Sequence, residues 1–369
     1  MNPKATDSRS ATIERMVADL FTVDALYQGT HEITLVLRSR FRQDQTVTLL
    51  EDRLTLAGYT FRLEPGDTTV ALVVNPKRSL RIPRLNIILF LLTIVSVYVV
   101  PVLFRNVVPG RSWGTDFSET LADLANGAGI EFTIALMSML LIHEMGHFVA
   151  SRRRDIVTSW PYFIPFPNII GSMGAVIKSK SPFWNRRDLI EVGASGPIVG
   201  WVVALFWLIY GLSNSHIVQA SFLGPEELGF FLHGESLLVK FLVPLIVGPA
   251  GPDQIYVFSE AAFAGWVGLL VTAINMVPIG QLDGGHIVYG LAGKFQQRLG
   301  WAALAMLLVL GYLSVIWWFL AGMGLLFGVK HPPTLNDSRP LGRPALIMGI
   351  VALVILLVSF TPVPFPAPF

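Results

Sequence analysis

The sequence predicts a polytopic α-helical membrane protein of about six transmembrane helices with a small soluble α/β domain at its N-terminus. Three observations lead there. Only 14% of the 369 residues are charged and 53% are hydrophobic, whereas about a quarter of an ordinary soluble domain is charged. The charge is uneven: 22 of the 52 charged side chains fall in the first 84 positions. The chain therefore divides near Arg84 into a part with soluble-domain composition, 1–84, and a membrane part, 85–369. Finally, apolar runs recur through the second part, and about 20 helical residues rise the ~30 Å of a bilayer core. A lipid bilayer is thus an expected partner. The net charge of +2 implies no general affinity for nucleic acid. With no cysteine, disulfides, thiolate metal sites and a thiol nucleophile are excluded.

Residues 1–30 contain acidic residues and no apolar h-region, so no secretory signal is expected and the N-terminus is placed in the cytoplasm. Ile33 to Arg38 alternate as a strand. From Asp44 a helix is expected whose Val47, Leu50, Leu54 and Ala57 share a face, with Gly58 placed to end it. Two period-2 runs follow, Tyr59, Phe61 and Leu63, then Val70, Leu72 and Val74. The turn sequence Glu64-Pro65-Gly66-Asp67 joins them. The result is a βαββ-like module, to which pattern alone assigns no function.

The first expected span, Leu85 to Phe104, follows Lys77, Arg78, Arg81 and Arg84, which by the positive-inside rule hold the N-terminal module in the cytoplasm. A second, Ala128 to Ala150, ends at Arg152-Arg153-Arg154 and returns the chain to that side. Leu189 to Leu212 exits outward, and Ala261 to Val277 comes back. Leu237 to Val247 is too short for an ordinary span and reads as re-entrant or interfacial. Trp301 to Val329 is too long for one untilted span and short for two. Ala345 to Phe360 is the last. No internal repeat is visible, which argues against an inverted-repeat transporter.

The chemistry lies inside these runs. His143-Glu144-Met145-Gly146-His147 fits H-E-x-x-H: histidines at i and i+4 share one helical face and can share a zinc ion, and the intervening Glu can act on water beside it. Polar residues in a lipid-embedded helix are costly and are functional candidates by default. A catalytic zinc site has three protein ligands and an open position. The third-ligand candidate is Asp283, in Asn275-Met276-Val277-Pro278-Ile279-Gly280-Gln281-Leu282-Asp283-Gly284-Gly285, which the topology brings to the same side as the histidines. Glu191, Glu260 and His286 are the alternatives.

At these residues the sequence resembles the site-2 protease family of intramembrane zinc metalloproteases, which pairs an intramembrane H-E-x-x-H with N-x-x-P-x-x-x-L-D-G. The similarity extends to Gly171–Ile177, Asn185-Arg186, Gly196-Pro197, Ala264-Gly265-Trp266 and His331-Pro332-Pro333. It covers roughly 130–340 and is nearest the branch with a soluble N-terminal domain. No segment is long enough for the inserted PDZ domain of other branches. The resemblance implies that His143, His147 and Asp283 ligate zinc, that Glu144 is the general base and then acid, and that Asn275 positions substrate or the oxyanion. Gly171 and Gly174 lie in a segment with the small residues of a hairpin or strand edge. An extended substrate could add there, since a scissile bond inside a helix must first be unwound. Trp160 to Pro167 reads as an interfacial anchor.

The expected function is therefore intramembrane zinc endopeptidase activity on transmembrane protein substrates. The expected place is the cytoplasmic (inner) membrane, with the active-site end facing the cytoplasm. Two alternatives are a zinc protease acting on soluble or peripheral segments at the membrane face, and a non-enzymatic metal-binding membrane protein.

Overall fold

In a computed structural model of the chain, the described residues are 8–28, 33–39, 43–56, 60–65, 70–75, 82–106, 113–154, 156, 158–179, 183, 185–222, 234–334, 337 and 339–365. The N-terminal elements are α1 (Ser8–Val17), β1 (Phe21–Gln28), β2 (Ile33–Ser39), α2 (Gln43–Leu56), β3 (Thr60–Pro65) and β4 (Val70–Asn75). The strands form one antiparallel sheet in the order β1-β2-β4-β3. The register aligns Leu26, Leu35, Leu72 and Leu63 in one cross-strand row. Against that row pack Ile13 and Val17 of α1 and Leu50 and Leu54 of α2, closing a core of its own.

The expected βαββ order is present but is preceded by a helix and an edge strand. Pairing of β1 with β2 slips between Val23 and Ala25, and a bulge of this kind interrupts the two-residue alternation by which a strand is recognised. Ala57, Gly58 and the turn residues Gly66-Asp67 lie outside the described residues.

The second part comprises α3 (Arg84–Asn106), α4 (Trp113–Ala125), α5 (Ile130–Arg153), β5 (Tyr162–Pro165), β6 (Ser172–Val176), α6 (Arg186–Leu212), β7 (His216–Gln219), α7 (Leu237–Ile246), β8 (Gln254–Val257), α8 (Glu260–Asn275), α9 (Asp283–Ala292), α10 (Gln296–Leu310), α11 (Ile316–Phe327) and α12 (Gly342–Ser359). Among the described residues, α3, α5, α6 and α12 are long and apolar enough to cross a membrane, while α7, α8 and α11 are apolar but shorter. The expected span at Ala261–Val277 is the 16-residue α8, cut short where the chain turns ahead of Pro278. The long run at Trp301–Val329 divides between α10 and α11. It breaks at Gly311, where an added Cβ would meet the Trp318 indole at 1.8 Å.

Helix α6 is the hub and lies against α5, α8, α9 and α12. One reason is the small residues it offers. A Cβ at Gly200 would stand 2.9 Å from His143 Nδ1, and one at Gly211 would strike the Ala262 backbone at 1.9 Å. From the other side, Gly265 of α8 sits on the Leu208 backbone and Gly268 on Met139 and Ala204. Such glycine contacts allow helix backbones to approach more closely than side chains otherwise permit. Buried Phe132, Leu136 and Met139 form a stripe along α5 that His143 and His147 continue. This placement commits the two histidines to the protein interior.

Candidate metal centre

Both histidines project from α5 into the contact with α6 and are buried, as is Glu144 between them. His147 Nδ1 lies 2.8 Å from the Val192 carbonyl oxygen. A carbonyl only accepts, so Nδ1 carries a proton, and in the neutral ring Nε2 is the lone pair that a metal would take. That Nε2 stands 3.2 Å from His143 Nε2.

Asp283 completes the group from the first turn of α9. Its Oδ2 lies 3.3 Å from His143 Nε2 and its Oδ1 3.3 Å from His147 Nε2. Among the described residues these three form the group of histidine and carboxylate donors whose atoms all lie within 4.8 Å of one another. Two imidazoles and a carboxylate, with the His147 ring oriented by Val192 O so that Nε2 faces the group, suit a divalent transition metal.

The loop that delivers Asp283 depends on close backbone packing. Helix α8 ends at Asn275, and Gly280 takes a left-handed φ of 53° with its Cα side against the Gly328 carbonyl. A Cβ at Gly284 would come within 1.9 Å of Met276 O, and one at Gly285 within 2.2 Å of Gly280 O. Gln296 ties this loop to the following one: its Nε2 donates to Pro278 O and Val329 O, both at 3.0 Å, and its Oε1 accepts from His331 N.

The donor group sits in a recess of about 160 Å³ lined by His143, Glu144, His147, Asp283, Asn275 and His286. The recess shares His143, Glu144 and Asn275 with a larger cavity of about 830 Å³. Apolar side chains, among them Leu136, Met139, Leu140 and Phe319, make up much of the wall of that cavity. Met173, Gly174, Ala175 and Val176 of β6 line it too. β6 pairs with β5. Gly174 has φ 90° and no heavy atom within 4 Å of an added Cβ. Gly171 is placed differently: at φ 74° it packs on the backbone of Ser96 and Val97 in α3, away from the cavity wall. Lys180-Ser181-Pro182 lie outside the described residues. Trp160 stacks on Phe148 of α5, with ring centres 4.5 Å apart.

The alternative third ligands are engaged elsewhere. Glu191 pairs with Arg154 and Arg187. Glu260 accepts from Gly129 N at 2.8 and 3.0 Å at the N-terminus of α5, the opposite end from the histidines. His286 bonds through Nδ1 to His331 Nε2. The structure also gives the glycine of the Gly196-Pro197 pair a role and brings in Gln296, which motif reading passed over. Gly196 packs directly on the His147 ring, with an added Cβ 2.2 Å from Nε2. The spacing of Gly193, Gly196 and Gly200 along one face of α6 is the available signal. Gln296 has none, because a lone polar residue at a helix start reads as solvated.

Comparison with known proteins identifies the family. The family model Peptidase family M50 matches residues 131–317. Curated relatives include "Probable zinc metalloprotease EGY1, chloroplastic" from Arabidopsis thaliana, 31% identical over 244 residues, covering 64% of this chain and 43% of the relative. "Probable zinc metalloprotease EGY2, chloroplastic" from Oryza sativa subsp. indica is 29% identical over 250 residues, with the same coverage of 64% and 43%. "Probable zinc metallopeptidase EGY3, chloroplastic" from Arabidopsis thaliana is 25% identical over 243 residues, covering 61% and 41%. The chain thus spans about two fifths of the length of these relatives. The family match runs over just over half of the chain, 131–317, and takes in both helices that supply the donors, so the chain belongs to peptidase family M50, as the resemblance to the site-2 proteases implies.

Proposed function

We propose that the protein is an intramembrane zinc endopeptidase that hydrolyses peptide bonds within or near transmembrane segments of membrane proteins. The observation that carries this reading is the convergence of His143, His147 and Asp283, within 4.8 Å of one another, on a recess that Glu144 shares with a large apolar cavity. The zinc metalloprotease names of the relatives support the choice of metal. His143, His147 and Asp283 would hold the zinc, which when bound supplies Lewis acidity toward the scissile carbonyl and makes water acidic enough to attack at neutral pH.

Glu144 takes the proton of the attacking water and hands it to the leaving amine. Asn275, at the mouth shared by recess and cavity, offers an amide N–H to the developing oxyanion. A transmembrane helix must give up its internal hydrogen bonds before a peptide can be cut, and in an apolar setting those groups need new partners. The edge of β6 supplies them by strand addition, and the open space at Gly174 leaves room for the incoming backbone. Residues 1–84 form a soluble unit on the cytoplasmic side. The basic residues at the start of α3 and the end of α5, Arg84 and Arg152–Arg153, support a site facing that side of the membrane.

Zinc per chain, measured on detergent-purified protein supplied with metal, tests the reading without a known substrate. Near-stoichiometric zinc in the wild type and in Glu144→Gln, with loss in Asp283→Ala, is expected. A metal-supplied wild type that holds no zinc overturns it.

A further inference from the structure

His286 stands one turn beyond Asp283 on α9, lines both the recess and the large cavity, and has no part in the mechanism above. Its proton can be located from its neighbours. His331 Nδ1 faces the Pro332 carbonyl oxygen, which only accepts, so His331 carries its proton there and its Nε2 is a lone pair. That lone pair lies 2.6 Å from His286 Nδ1, which must therefore be the N–H donor. In the neutral ring His286 Nε2 is then a lone pair, on a residue that lines both the recess and the large cavity.

The ring is also fixed in place. A Cβ on Gly193 of α6 would lie 2.7 Å from His286 Cβ, and the Phe183 ring packs at 5.4 Å between centres. His331, buried, is itself held through its backbone N–H by Gln296 Oε1 at 3.1 Å. Burial outweighs the pull of the Pro332 carbonyl and Asp337 and keeps the His331 imidazole down at about 4, so the relay stays neutral at physiological pH.

A preset lone pair at the wall of a peptide-sized cavity has an obvious complement. An extended peptide shielded from water carries backbone N–H groups that are costly to leave unpaired. Glu144 and Asp283 are already assigned to proton transfer and metal binding. We infer that His286 is a substrate-contacting residue whose Nε2 accepts a backbone N–H of the bound peptide, and that the His331–Pro332 relay sets its tautomer for that purpose. This rests on the peptidase reading and adds a binding contact to it.

Two probes separate the inference from its premise. Acetohydroxamic acid engages a zinc ion and little else. Short leucine peptides bearing a hydroxamate at either the N- or the C-terminal end engage the zinc together with the peptide-binding surface. Calorimetric titration of the zinc-loaded protein should show His286→Leu weakening at least one peptidyl hydroxamate tenfold or more. Acetohydroxamate binding and zinc content should stay unchanged, and His286→Gln, which keeps an acceptor oxygen, should recover much of the loss. Equal binding of both peptidyl probes to wild type and His286→Leu overturns the inference while leaving the peptidase reading intact. Loss of zinc in His286→Leu also overturns it, because the residue is then a metal ligand. If no hydroxamate binds even the wild type, the peptidase reading itself fails.

Discussion

Substituting alanine for Gly196 adds one methyl group at the most crowded point of the metal centre. Its Cβ would stand 2.2 Å from His147 Nε2, 2.5 Å from Cδ2 and 2.6 Å from Cε1. An ordinary contact between such atoms is about 3.5 Å, so ring or helix must move by roughly 1.3 Å. The ring is poorly placed to move, because Nδ1 is held at 2.8 Å by Val192 O. Helix separation is opposed as well. A Cβ on Gly146 of α5 would lie 2.8 Å from Ser195 O and 3.0 Å from Gly196 Cα, so the two backbones already touch and seal this seam. Overpacking of this size costs about 1–3 kcal/mol. Charged to the ligand geometry, this weakens zinc roughly 5- to 150-fold, at 1.4 kcal/mol per factor of ten. The assay is competition for zinc against a chelator of known affinity, followed by mass-spectrometric zinc content. Gly322→Ala is the control, since a Cβ there meets nothing within 4 Å. If Gly196→Ala holds zinc as tightly as Gly322→Ala, the argument that this glycine seats the His147 ligand is wrong.

Three further outcomes are expected. Gly174→Pro should abolish cleavage while retaining zinc, because proline cannot take φ 90° or supply the N–H that Gly174 gives Ser172 Oγ at 2.9 Å; unchanged cleavage of a single-span reporter rejects strand addition at β6. Glu260→Ala removes the carboxylate that caps Gly129 N, while Glu131 reciprocally reaches Ala261 N at 3.3 Å; loss of such a cap costs about 1 kcal/mol, so the thermal midpoint in detergent should fall by a few degrees without change in zinc stoichiometry. His331, lowered from 6.5 to about 4, binds fewer protons folded than unfolded in that window, so stability is held above pH 6.5 and lost as pH falls toward 4. The linked loss is roughly 3 kcal/mol, and denaturation midpoints measured across this range should be flatter in His331→Gln.

The parts of this molecule that could be read from sequence are those whose information is local. H-E-x-x-H announces itself because i and i+4 share a helical face whatever surrounds the helix. The α2–β3–β4 order was legible from period and turn residues. Strand β1 was not, because its slip between Val23 and Ala25 cancels the alternation. Asp283 is intermediate. Its sequence context fits a turn as well as a ligand, and it became a ligand candidate through the side of the membrane to which counting spans assigned it. That count was itself inexact: α8 is 16 residues long, and its end at Asn275 is where the chain turns to present Asp283. A helix of full spanning length would have carried Asn275 and the loop behind it past the histidines, so the shortfall belongs to the design of the site.

The glycines of α6 show a different limit. Their spacing was visible, but spacing says only that a smooth face exists, not what lies on it. Gly196 meets His147, Gly200 meets His143 and Gly193 meets His286 because α6 is rotated to turn that one face toward both α5 and α9. The rotation is set further along, where Gly211 takes the Ala262 backbone and Leu208 takes Gly265. The same reasoning applies to His331, 45 residues from His286 in sequence and brought to it through Gln296, which binds Pro278 O and Val329 O at once. A ligand can be named from its own helix, but the groups that fix its rotamer and proton come from whichever helices pack there. Substitutions at Gly196 or His331 should therefore disturb the chemistry without touching either motif.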